Sequence, residues 1–156
     1  MSEANIERGL EIAARVEAFV REAIVPFEKD PRCEAHGPSE DLVEEMRGLA
    51  RNAGLMTPHI LQDGSHISHL ETAKVLRAAG KSPLGPVAVN VAAPDEGNIF
   101  LLGQAASPEQ KQHFLAPLIA GEARSAFFMT EPAEDGGAGS DPSMLQTTTS
   151  KDGNHW

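Results

Sequence analysis

Tyrosine is absent from the 156 residues, and aromatic side chains make up only 4%. Any core must therefore be aliphatic, built from Leu, Ile, Val, Ala and Met. A single cysteine, Cys33, excludes an internal disulfide and fits a reducing compartment. Basic residues are in the minority, with 13 Lys and Arg against 23 Asp and Glu, a net charge of −10. Such a chain lacks the basic footprint of a nucleic-acid binder. It also repels anions globally, so an anionic ligand needs a local binding device. Long apolar runs are missing too. The longest uncharged stretch, Ser82 to Pro94, has 13 residues including three prolines and a glycine, whereas a membrane helix needs about 20 apolar residues. The first residues, Met1-Ser2-Glu3-Ala4-Asn5, have neither the basic nor the apolar region of a secretory signal, and a cytoplasmic location is expected. The length predicts one domain or one and a fraction.

What is present reads first as helices. Ala13, Val16, Val20, Ile24 and Phe27, led in by Ile6 and Leu10, form one apolar stripe, which predicts a helix from Ser2 to about Val25 that Pro26 ends or kinks. A polar loop follows over Lys29–Pro38. Ser39, with Glu40 and Asp41 behind it, starts a second helix that presents Leu42, Val43, Met46, Leu49, Ala50 and Ala53, and Gly54 stops it. Further helices are predicted over His69–Ala79, within the small apolar stretch Ser82–Ala93, and from Pro94 to a stop near Gly103. The last helix starts at a capping box with proline at its first position, Ser107-Pro108-Glu109-Gln110. Phe114, Leu115 and Leu118 are expected to face the core from it, and Gly121 ends it.

After Gly121 the pattern changes. Ser125–Thr130 is short, aromatic and uncharged, which predicts a strand, and Met144–Ser150 predicts a second. Between them lies a glycine-rich acidic loop, Glu131–Asp141. Lys151-Asp152-Gly153-Asn154 reads as a hairpin turn, and the chain reaches Trp156 where a returning strand is expected. A two-stranded ribbon is marginal alone. The expectation is an N-terminal piece of a longer protein, with a helical domain over 1–122 and the start of a β domain over 123–156. The alternative is a non-catalytic helical binding or oligomerisation module with a degenerate cofactor loop.

Candidate chemistry is sparse. His66 and His69 are spaced i, i+3, and Cys33 and His36 share that spacing, but neither pair reaches the three or four ligands of a zinc site, so no metal site is expected. Cys33, between Arg32 and Glu34, has no evident base. The loop 131–141 is the strongest candidate. Its glycines allow close backbone approach to an anion, Ser140 can donate to a phosphate oxygen, and Thr130 can present a hydroxyl to a polar ring edge. The loop has neither a P-loop lysine nor the glycine spacing of a dinucleotide fold.

Phe127-Phe128-Met129-Thr130-Glu131-Pro132 followed by Gly139-Ser140-Asp141 resembles the flavin-binding signature of acyl-CoA dehydrogenases. Gly54-Leu55-Met56-Thr57-Pro58, Ala93–Asn98, Glu109-Gln110-Lys111, Phe114–Leu118 and Gly121 resemble family segments in the same order. The stretch Ala133–Ala138 is longer than the commonest form of that loop, and Ala106 stands where the family usually has glycine.

The resemblance implies a mainly α chain: an N-terminal helical bundle followed by the first strands of an incomplete β domain. It implies FAD as cofactor and an acyl-CoA thioester as substrate. The family removes an α-proton with a glutamate base and passes the β-hydride to flavin N5. It usually sends electrons to an electron-transferring flavoprotein, and homodimers and homotetramers are common. By this resemblance Phe127, Met129 and Thr130 contact the isoalloxazine, and Ser140 approaches both the FAD phosphates and the CoA portion of substrate. No catalytic residue is expected within 1–156, because the family's base lies in a C-terminal domain, and the chain alone is expected to be inactive. Glu131 belongs to the Thr-Glu-Pro turn and is not expected to be that base.

Overall fold

The computed structural model describes residues 3–35, 37–133 and 137–155, and it divides into two compact units, Met1–Ser125 and Ala126–Trp156. His36, Glu134–Gly136 and Trp156 lie outside the described residues. In the first unit, α1 (Glu3–Phe19) widens into a π turn over Val20–Ile24 and then tightens into a 3-10 turn over Val25–Lys29. The change of helix type falls at Val25–Pro26, where the proline was expected to end or kink the helix. The proline sits in the first turn of the 3-10 segment, where its missing N–H costs no helical bond. Val16, Val20 and Ile24, four residues apart, are fully buried as the periodicity requires.

The polar loop contains a two-residue antiparallel ladder, β1 (Cys33–Glu34) with β2 (Gly37–Pro38). Arg32 fixes its start, pairing with Asp30 and Glu45 at 2.8 Å each. The Cys33 thiol donates to the Phe27 carbonyl at 3.3 Å. α2 (Glu40–Asn52) follows. Ser39 occupies its N-cap with extended backbone, but its hydroxyl bonds to Asp41 and caps no helical N–H. Leu42, Val43, Met46 and Ala50 are buried as expected, while Leu49 and Ala53 are exposed. Gly54, just past the end, takes the left-handed conformation (φ +64°) that favours glycine.

α3 (His69–Ala79) starts at a reciprocal capping box between Ser68 and Glu71. The stretch 82–93 was expected to be one buried helix. It forms a single turn, α4 (Gly85–Ala88), because prolines interrupt its amides and Asn90 takes a positive φ of 58°. α5 (Asp95–Ala105) ends two residues past Gly103, near the expected stop. Ala106 then adopts extended backbone (φ −78°), a conformation open to any residue. The capping box of Ser107 and Gln110 opens α6 (Pro108–Gln110), which passes through a π turn (Lys111–Leu115) into α7 (Ala116–Ile119). Leu118 is buried, but Phe114 is exposed, contrary to expectation. The wider π turn interrupts the 3.6-residue phase that would have kept both on one face.

The core joins Val16, Val20 and Ile24 of α1 with Leu42 and Met46 of α2 and Val75 and Ala79 of α3, closed by Ala88, Val89 and Val91. This is the aliphatic core that the composition requires. No described helix is long and apolar enough to cross a membrane.

In the second unit the two expected strands, Ser125–Thr130 and Met144–Ser150, form no ladder among the described residues. A strand needs a neighbouring strand to take its backbone hydrogen bonds, and among the described residues neither run pairs with one. The hairpin turn does form. Asp152 and His155 exchange backbone bonds at 2.9 and 3.0 Å around Gly153 (φ +58°).

Candidate functional site

A buried polar network organises the end of the first unit. Arg47 of α2 is almost fully buried and donates to the Asn90 side-chain oxygen at 2.8 Å and the Gly121 carbonyl at 3.1 Å. Burial pushes its guanidinium below the usual arginine range, and the Asp95 carboxylate, 3.6 Å away, opposes that shift. Asp95 also accepts from the Ser125 backbone N–H and from the Ser125 hydroxyl, both at 2.7 Å. Asn98 donates to the same hydroxyl at 2.8 Å. Ser125, the residue just before the apolar run 126–130, is thus held on three sides.

Beside it an open cavity of about 340 Å³ lies between α5 and the α6–α7 segment, lined by Leu101, Leu102, Phe114, Pro117 and Leu118 with Ser125 at its edge. Leu101 and Phe114 are exposed apolar side chains, and this cavity is where both project.

Within the second unit, Glu131 is the organising residue. Its carboxylate accepts from the backbone N–H groups of Ala138 (3.2 Å), Gln146 (3.0 Å) and Thr147, and from the Thr147 hydroxyl. Those bonds, led by the Thr147 hydroxyl, hold the carboxyl down at about 2. The Glu131 N–H donates to the Gly139 carbonyl at 3.3 Å, so Thr130 and Ser140 flank one hydrogen bond. Gly137 permits this turn, since a Cβ there would stand 2.0 Å from the Pro132 carbonyl oxygen. Phe127, Met129, Thr130 and Ser140 are all exposed, and Phe128 is 99% exposed. Among the described residues, no backbone group of 126–130 makes a backbone hydrogen bond.

Three comparisons bear on what this arrangement is. The family model for the acyl-CoA dehydrogenase N-terminal domain matches residues 7–122. The chain belongs to the acyl-CoA dehydrogenase family. It is 33% identical over 153 residues to the Mycobacterium tuberculosis protein named "Probable acyl-CoA dehydrogenase FadE2", an alignment covering 94% of this chain and 37% of that protein. It is 31% identical over 157 residues to acyl-CoA dehydrogenase family member 11 of Gallus gallus, covering 96% of this chain and 20% of that one. The solved structure of a "putative acyl-CoA dehydrogenase" from Mycobacterium abscessus superposes with a TM-score of 0.64 at 31% identity, over 81% of this chain and 35% of that chain. This dehydrogenase-family chain therefore spans between 20% and 37% of the length of these relatives. Its mainly helical body with little β structure is that of the family's N-terminal helical domain leading into a β domain.

The structure brings together residues that sequence spacing left apart. Arg47, Asn90 and Asp95 form a network although each is charged or polar in an apolar context. The one sequence signal for Arg47 is its position between Met46 and Ala50 on the buried face of α2. His66 meets His59 and Glu96 instead of pairing with His69 alone. The hint there was the Asp63-Gly64 pair between the two histidines, a turn signal that folds 59 and 66 toward each other.

Proposed function

We propose that this chain is part of an FAD-dependent acyl-CoA dehydrogenase, and that it supplies the flavin-facing edge and leaves the catalytic base to another part of the protein. The observation that carries this is the run 126–130. Among the described residues its backbone N–H and C=O groups have no backbone partners, its phenylalanines and methionine are exposed, and a threonine hydroxyl ends it. That set fits a flat ring with an apolar face and a polar rim. Bound flavin would accept the hydride leaving the acyl β-carbon.

The chain's own residues would bind and orient. Phe127 and Met129 offer backbone donors and acceptors to the ring edge, and the Thr130 hydroxyl adds a hydrogen bond there. Ser140, one residue past the Gly139 carbonyl that fixes the loop, would approach the FAD phosphates and the CoA portion of substrate. It supplies a local donor that a chain of net charge −10 needs for anionic ligands. Glu131 is not a base in this reading. Its carboxylate is held by four hydrogen-bond donors, and its depressed pKa makes it a poor proton acceptor. Electron-transferring flavoprotein is the proposed electron acceptor, and homo-oligomerisation is part of the same proposal.

The test compares two purified proteins. A longer protein carrying this sequence within a complete dehydrogenase is expected to hold FAD that acyl-CoA bleaches anaerobically. The 156-residue chain alone is expected to retain no stoichiometric FAD and to turn over no acyl-CoA. Stoichiometric flavin on the short chain would contradict the division of the site.

A further inference from the structure

The segment 59–67 folds back on itself and sets two histidines against α5. The Ile67 N–H donates to the His59 carbonyl at 3.0 Å and the Leu61 N–H to the Ser65 carbonyl at 2.8 Å, around Gly64 in left-handed backbone (φ +79°). His59 is 0% exposed, and among the described residues neither of its ring nitrogens has a hydrogen-bond partner. The His66 Nε2 is buried and unpartnered as well. Its Nδ1 lies 2.6 Å from the Ile67 carbonyl oxygen. An Nδ1–H donated there leaves Nε2 as a bare lone pair, and Nε2 stands 3.8 Å from a Glu96 carboxylate oxygen in the first turn of α5. One donor atom from each of His59, His66 and Glu96 lies within 4.8 Å of the other two.

Buried ring nitrogens without partners are unfavourable unless something satisfies them, and one His59 nitrogen and His66 Nε2 face the same point beside Glu96. A neutral imidazole carries one lone pair, and the His59 tautomer that places it on the nitrogen nearest His66 and Glu96 makes that nitrogen an acceptor. The three facing atoms are then all acceptors. A water molecule has two protons and can satisfy two of them, whereas a cation takes all three. The His66 Nδ1 contact with a backbone carbonyl is also the outer partner that metal-bound histidines usually have.

We propose that His59, His66 and Glu96 form a binding site for a divalent transition metal of the zinc class. Two imidazoles and one carboxylate make a ligand set that favours zinc, copper or nickel over calcium or magnesium. Three protein ligands leave a fourth position for water. Zinc bonds of about 2.0–2.2 Å require the three atoms to draw closer, and Glu96, on the partly exposed first turn of α5, has the freedom to do so. An open cavity of about 330 Å³ lined by Gly64, Ser65, His66, Ile99 and Phe100 gives the ion a way in. Bound there, the metal would tie the hairpin 59–67 to α5.

The test titrates the metal-stripped protein with zinc chloride by calorimetry and with Co²⁺ by visible absorption. One saturable equivalent is expected, with the Co²⁺ spectrum of a four-coordinate site. Glu96→Gln and His66→Gln are each expected to weaken binding by at least about tenfold, the scale on which even outer-shell partners act. His69→Gln, outside the triad, is expected to leave it unchanged. His59 is fully buried and its replacement can compromise folding, so the decision rests on Glu96→Gln, read on protein whose circular dichroism matches the parent. Absence of saturable binding by the parent protein, or unchanged affinity in Glu96→Gln, would overturn the proposal.

Discussion

The Asn90 side-chain amide donates to the Thr57 hydroxyl at 2.8 Å, and both residues hold left-handed backbone, at φ 58° and 50°. For a β-branched threonine that conformation is a true outlier. It persists because the surroundings over-determine it. The Thr57 hydroxyl donates on to the Ile119 carbonyl at 2.6 Å, the Asn90 amide also reaches the Leu118 carbonyl at 2.9 Å, and Arg47 donates to the Asn90 oxygen. Two strained turns are thereby locked to α2 and to the end of α7, and the same Arg47 leads through Asp95 to Ser125.

Replacing Asn90 tests this lock. Asn90→Ala removes every side-chain bond and leaves buried partners unsatisfied, so a loss of about 2–4 kcal/mol is expected. Asn90→Gly loses the same bonds but accepts positive φ, so it should be about 1 kcal/mol more stable than the alanine variant. Urea denaturation of the two variants and the parent measures both differences.

Asp95→Ala is expected to cost about 3 kcal/mol, because it leaves the buried Arg47 without its carboxylate. It should also free the Ser125 backbone amide, which Asp95 holds at 2.7 Å. Hydrogen exchange at Ser125 is expected to accelerate in this variant. Unchanged protection there would show that the amide is held by something else.

Gly85→Ala addresses close packing. A Cβ at this position would stand 2.0 Å from the Ala79 carbonyl oxygen and 3.2 Å from Val20 Cγ2, and neither is the loose end of a flexible side chain. A destabilisation of about 3 kcal/mol is expected from overpacking, read as a fall in thermal midpoint.

Local signals carried well from sequence to structure where the physics is local. The Ser107–Gln110 capping box, the helix over His69–Ala79 and the left-handed Gly54 and Gly121 all depend on neighbours a few residues away. The apolar stripe of Val16, Val20 and Ile24 was equally legible. What failed depends on distant partners. The run 126–130 has strand composition but, among the described residues, no strand beside it. Phe114 sits in a π turn that no helical-period count anticipates. The proposed ligands His59, His66 and Glu96 lie far apart in sequence, and only the fold-back at Gly64 and the packing of α5 bring them together. For the proposed flavin edge the sequence motif carried more than the geometry does, because Phe127, Met129, Thr130 and Ser140 are exposed in a unit with little structure of its own.

Acid should act through Glu71. Its carboxylate is buried at the start of α3, receives the Arg8 guanidinium at 2.8 Å and the Ser68 N–H at 3.0 Å, and is held down at about 2 from an ordinary 4.5, with the Arg8 bond the largest cause. A carboxylate with a depressed folded pKa contributes stability that is fully present above about 4.5 and is lost as pH falls toward about 2. Glu71→Gln should therefore be less stable than the parent at neutral pH, and the gap should narrow through that window. Urea midpoints of both proteins across the range check it.

The most direct test of the account concerns Thr130. In a complete dehydrogenase carrying this sequence, Thr130→Val should change the bound-flavin absorbance spectrum, weaken FAD retention and slow anaerobic bleaching by acyl-CoA, because the hydroxyl at the end of the 126–130 edge is lost while side-chain volume is kept. A spectrum, FAD affinity and bleaching rate all equal to the parent's would remove Thr130 from the flavin site and contradict the assignment of this edge.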